Sequence, residues 1–64
     1  MPIVRIELWR GRTLDQKKEL AKAITEDMVR ILKVRMESIQ VIFEEVEKDN
    51  WAIAGTISDQ PRNP

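Results

Sequence analysis

The chain has 64 residues and contains neither histidine nor cysteine, so the side chains that most often move protons or attack carbonyls near neutral pH are missing. A thiol nucleophile, a Ser-His-Asp arrangement and the usual zinc sites are excluded with them. The groups left to exchange protons are carboxylates, lysines and the chain terminus, whose α-amino group has an unperturbed pKa of roughly 7.7 to 8.0. Met1 precedes Pro2, a small second residue of the kind that permits removal of an initiator methionine. Removal would leave a secondary amine whose ring fixes φ and so presents the lone pair in one direction. Nearby cations and apolar surroundings would both favour its free base. Met-Pro on its own reads more readily as a harmless second residue than as a catalytic one. The acidic run Glu44, Glu45, Glu47 and Asp49 lacks calcium-loop spacing and reads as a solvated strand end.

Three elements have to position these groups. Residues 2 to 9 alternate, with Pro2, Val4, Ile6 and Leu8 on one face and Ile3, Arg5, Glu7 and Trp9 on the other, which is the period of a strand. Arg10-Gly11-Arg12 breaks the pattern with a turn. Thr13 followed by Gln16 fits a capping box, and Asp15 suits the positive end of a helix. Over 14 to 32, Leu20, Ala23, Ile24, Met28, Ile31 and Leu32 recur at helical spacing, while Lys17, Lys18, Lys22, Glu26 and Arg30 take the complementary positions. A helix of this length, about 28 Å, is long enough to return the chain for a parallel strand. Residues 39 to 46 supply that strand, Ile39, Val41 and Phe43 facing one way and Gln40, Ile42, Glu44 and Val46 the other. Lys48-Asp49-Asn50 is turn-like, and Trp51 to Ile57 offer a short hairpin or edge strand. The tail from 57 to 64 should fray, because two prolines and no anchoring apolar residue end it.

The expected class is α+β: one βαβ domain over residues 1–64, with two parallel strands, one long helix and a short C-terminal hairpin. Such a unit is incomplete, since a single helix covers only one sheet face. A domain this small buries about 60% of the surface of its unfolded chain, and no disulfide or evident metal site compensates. With 42% apolar residues the chain is too hydrophobic for disorder, so copies are expected to pair and to share pockets at their boundaries. Eleven basic residues balance eleven acidic ones, which gives no basis for nucleic-acid binding. The apolar stretches are too short to span a membrane or to act as a signal peptide, and a cytoplasmic location follows as the default expectation.

Met1-Pro2-Ile3-Val4-Arg5-Ile6, then Gly11-Arg12-Thr13 before Asp15-Gln16-Lys17, then Val41-Ile42-Phe43-Glu44-Glu45 and Asn50-Trp51-Ala52-Ile53-Ala54-Gly55 together resemble the 4-oxalocrotonate tautomerase family over about residues 2 to 56. Each motif is short, but their order and spacing make a specific combination. The resemblance implies a cofactor-independent, metal-free isomerase, usually a hexamer built as a trimer of dimers, acting on small unsaturated 2-hydroxy or 2-oxo acids such as 2-hydroxymuconate. It implies that Pro2, freed of Met1, is the general base. It also implies that Arg12 binds a substrate carboxylate from a neighbouring subunit, as the planar fork of a guanidinium can, and that Trp51 forms the aromatic wall where phenylalanine is familiar. Without the resemblance, Arg12 reads as an exposed turn residue and Trp51 as an interface anchor. Gln40 departs from the pattern: the best-known members carry an arginine there, so a charge is lost, and a monoacid such as an arylpyruvate becomes a reasonable substrate. Arg5, Arg10 or Arg35 could compensate. Ala52-Ile53-Ala54 carries no carboxylate, which disfavours hydration or dehalogenation. The alternative is an oligomeric interaction or structural protein that keeps the fold with little chemistry.

Overall fold

A computed structural model describes residues 1–58. Strand β1 (Ile3–Trp9), helix α1 (Leu14–Leu32) and strand β2 (Gln40–Val46) follow one another, with a 3-10 turn at Met36–Ser38 before β2. The strands pair in parallel from Ile3↔Gln40 to Trp9↔Val46, as the length of the intervening helix predicts. α1 starts where the sequence places it. The Gln16 N–H donates to the Thr13 hydroxyl at 3.1 Å, and the Thr13 N–H donates to the Gln16 side-chain carbonyl at 2.9 Å, so two otherwise unpaired donors are satisfied reciprocally. The helix ends on Lys33, which adopts a left-handed conformation with φ 59°. After a second 3-10 turn at Lys48–Asn50, β3 (Ala52–Ile53) and β4 (Thr56–Ile57) form an antiparallel hairpin. Its two-residue tip, Ala54-Gly55, has φ of 52° and 83°, the paired positive values that a type I′ turn requires. Ile57 closes β4, Ser58 is buried, and the rest of the expected frayed tail, residues 59–64, lies outside the described residues.

Strand alternation decides which residues meet the helix. Val4, Ile6, Leu8, Val41 and Phe43 are half-buried, whereas Ile3, Arg5, Glu7, Gln40, Ile42 and Glu44 are exposed on the opposite face. Among the described residues no apolar side chain is fully buried. The open sheet face leaves Ile3 55% and Ile42 37% exposed, apolar surface that a second copy could cover.

One long-range ion pair ties helix to sheet: the Lys17 Nζ donates to Glu45 Oε1 at 2.8 Å, both side chains being mostly covered. Glu45 departs from the expected solvated strand end because its register partner is Leu8, which puts it on the helix-facing side. Its hydrogen bond to Lys17 holds the carboxyl below its ordinary value of 4.5; burial opposes this, while the Lys17 charge, the Gly11 backbone N–H and the Arg10 charge reinforce it. A carboxyl with a depressed folded-state pKa stabilises the fold above its unfolded value and loses that contribution as pH falls through the folded value. The urea midpoint of wild-type protein is therefore expected to exceed that of Glu45→Gln above about pH 4.5 and to converge with it in stronger acid. A gap that persists undiminished to the acid limit would remove Glu45 as the titrating group.

Candidate active site

Pro2 stands half-buried immediately before β1, and its carbonyl accepts a hydrogen bond from the Gln40 N–H at 3.0 Å. The parallel ladder thus places Gln40 at the head of β2, beside Pro2. Met1 is 81% exposed, so the bond that ties up the Pro2 nitrogen is open to an aminopeptidase. With Met1 attached that nitrogen is an amide; with Met1 gone it is a basic amine at the edge of the sheet.

Arg12 lies beyond the other end of β1. Gly11, at φ 129°, makes the reversal that a side chain would hinder, and Arg12 falls between it and the capping box. A cavity of about 150 Å³ is lined by Leu8, Arg12, Gln16, Lys17, Leu20 and Phe43, so Arg12 borders a pocket with three apolar residues. The turn's other arginine, Arg10, is paired with Glu47, while Arg12 forms no ion pair among the described residues.

Trp51 follows the end of β2 and meets Trp9 edge to face, with ring centroids 5.9 Å apart and an interplanar angle of 74°. The Lys48 ammonium lies 4.9 Å from the centre of the Trp9 ring, and the Trp9 indole N–H is buried with no hydrogen-bond partner. Sequence reasoning placed Trp9 on the open face without giving it a role. Trp9 pairs with Val46 at the end of β2, and the chain beyond β2 brings Trp51 to it, a contact that no local sequence pattern marks.

The four predicted residues therefore fall into two sets. Pro2 and Gln40 share the head of the parallel strands; Arg12 and Trp51 lie at the tail. Six rises separate Ile3 from Trp9, about 20 Å of strand, so one chain does not bring the sets together. Of the arginines the sequence offers in place of a charge at Gln40, Arg10 is held by Glu47 at the far end and Arg35 is paired with Glu37 at 3.5 Å. Arg5 shares the face of Gln40 and has no ion pair among the described residues. No group of three or more acidic side chains among those residues could hold a metal ion. No helix among them is long and apolar enough to cross a membrane.

Residues 2–60 match the family model described as tautomerase enzyme. A protein of Halalkalibacterium halodurans named "Probable tautomerase" is 39% identical over 61 residues, covering 94% of this chain and 100% of that one. One of the same name from Listeria monocytogenes is 44% identical over 55 residues, covering 86% and 90%. Among solved structures, a 4-oxalocrotonate tautomerase homologue superposes with a TM-score of 0.89 at 32% identity, over 98% of this chain and 100% of that chain. The heterohexameric 4-oxalocrotonate tautomerase of Chloroflexus aurantiacus gives 0.88 at 29% identity, over 97% and 100%. A proline just before β1, an arginine after the turn glycine and a tryptophan past the second strand thus occur in a chain that matches its relatives over almost its whole length, and the protein belongs to the tautomerase family as an isomerase of the 4-oxalocrotonate tautomerase type.

Proposed function

We propose that the protein interconverts enol and keto forms of small unsaturated 2-hydroxy and 2-oxo acids, 2-hydroxymuconate among them, with the Pro2 amine as general base after loss of Met1. The observation that carries this reading is Pro2 itself, half-buried at the strand edge under an exposed methionine in a chain with no histidine. The amine takes the proton of the enol hydroxyl, negative charge spreads through the conjugated system as a dienolate, and the prolinium returns the proton to carbon. The hydroxyl O–H bond breaks, a C–H bond forms, and the base is regenerated. Arg12, supplied by another copy, grips the carboxylate with two parallel N–H donors. Trp51 and Trp9 wall the conjugated chain from water, which strengthens the charge interactions beside it. The Gln40 side chain donates a neutral hydrogen bond to the developing oxyanion. A hexameric assembly fits the exposed sheet face and the division of the site between two ends of the subunit.

A neutral residue at 40 and two tryptophans at the wall favour a monoacid with a flat apolar substituent over a dicarboxylate. Ultraviolet assays on methionine-free protein should give a higher kcat/KM for phenylenolpyruvate than for 2-hydroxymuconate. Gln40→Arg should shift that ratio toward the dicarboxylate by about tenfold, the worth of one hydrogen bond to a charged group. An unchanged ratio would place residue 40 outside the site.

A further inference from the structure

We propose that Glu45 is a positioning residue for Arg12, fixing the turn that carries the guanidinium and neutralising the lysine beside it. The inference rests on the reading of Arg12 as the carboxylate anchor. Two cations, Arg12 and Lys17, line the same cavity, and a substrate carboxylate arriving there could settle on either. Glu45 removes the ambiguity. Its Oε1 lies 2.8 Å from the Lys17 ammonium, in a pair whose side chains are only 22% and 27% exposed, so Lys17 is occupied and Arg12 is left as the cation without an ion-pair partner among the described residues.

The same pair ties the first turn of α1, which Arg12 closely precedes, to β2. Arg12 is consequently held from two sides. On one side is the local capping box at Thr13 and Gln16; on the other is an anchor on β2, 28 residues from Lys17 along the chain. The local device fixes the helix start but says nothing about where the helix stands against the sheet. Only the long-range one relates Arg12 to the strand beneath it. A bidentate guanidinium contact depends on direction as well as distance, so loosening this anchor should weaken ground-state binding while leaving the distant Pro2 chemistry alone.

Steady-state kinetics on methionine-free Arg12→Ala, Glu45→Gln, Lys17→Met and Glu45→Asp, with phenylenolpyruvate as substrate, tests this. Glu45→Gln and Lys17→Met should each raise KM about tenfold, the effect of weakening one charge-assisted hydrogen bond, with kcat within about twofold of wild type. Glu45→Asp keeps the charge and should stay close to wild type. If Arg12→Ala raises KM while neither Glu45→Gln nor Lys17→Met does, the positioning role is overturned and the carboxylate anchor stands. A fall in kcat at unchanged KM in both pair variants, the mark of fewer assembled sites, overturns it as well. If Arg12→Ala itself leaves KM unchanged, the anchor reading fails and the inference falls with it.

Discussion

Protein that has lost Met1 is expected to turn over enol acids two to four powers of ten faster than the same chain with Met1 retained, the usual contribution of a positioned general base. The two forms differ by one residue that is 81% exposed and belongs to no helix or strand, so their folds should be indistinguishable by circular dichroism. Their chemistry differs completely at one atom. In the retained form the Pro2 nitrogen is part of a peptide bond whose resonance consumes the lone pair, and no histidine or cysteine exists to substitute. Pro2→Ala in the processed form is a milder lesion, because a primary amine survives but rotates freely where the proline ring had fixed it. A loss of about one to two powers of ten follows from misplacing the base. The pH dependence gives an independent readout: kcat/KM of the processed enzyme should rise with pH as the amine loses its proton, and that limb should be missing when Met1 is retained. Intact mass identifies each form. Equal rates with and without Met1 would exclude Pro2 as the base.

Much of the fold was legible in the sequence. The alternation of Val4, Ile6 and Leu8 against Ile3, Arg5 and Glu7 defines β1, the Thr13–Gln16 spacing dates the start of α1, and a helix too long for a hairpin forces the parallel return of β2. Those features are local, and each is written in a few adjacent residues. The turn at Met36–Ser38 was not anticipated, since its sequence lacks glycine or proline to mark it. The acidic run was harder still. Glu44, Glu45 and Glu47 look alike as a run of charge, yet alternation sends Glu45 inward to Lys17 while Glu47 pairs with Arg10. What separates them is register against β1, a non-local quantity. Trp9 was missed for the same reason: its contact with Trp51 depends on where the chain goes after β2. Local chemistry named Pro2, and family resemblance added Arg12, Gln40 and Trp51, but their distribution between two ends of the subunit is a property of topology.

That distribution sets up the second large effect. Pro2→Ala and Arg12→Ala proteins, each weakly active alone, are expected to regain activity when unfolded together, mixed in equal amounts and reassembled. The strand between the two residues spans about 20 Å, whereas reacting atoms must approach to about 3 to 3.5 Å. A small acid held by Arg12 at the tail of β1 therefore cannot present its enol to the Pro2 of the same chain. It can do so to the Pro2 of another copy whose strand head abuts this strand tail. In a randomly mixed assembly, a site built from two chains draws an intact Pro2 from an Arg12→Ala subunit half the time. It draws an intact Arg12 from a Pro2→Ala subunit equally often, so about a quarter of the sites recover both. A site confined to one chain recovers none, because no single chain in the mixture carries both residues. Reassembled Pro2→Ala/Arg12→Ala double variant, which can never complete a site, supplies the baseline. Recovery well above that baseline, scaling with the product of the two mole fractions, requires the site to be shared. Mixed assemblies that form by size-exclusion chromatography yet show only the summed activity of their parents would confine the chemistry to one subunit, and would force Arg12 out of the mechanism because no rearrangement of a parallel βαβ unit could carry it to Pro2.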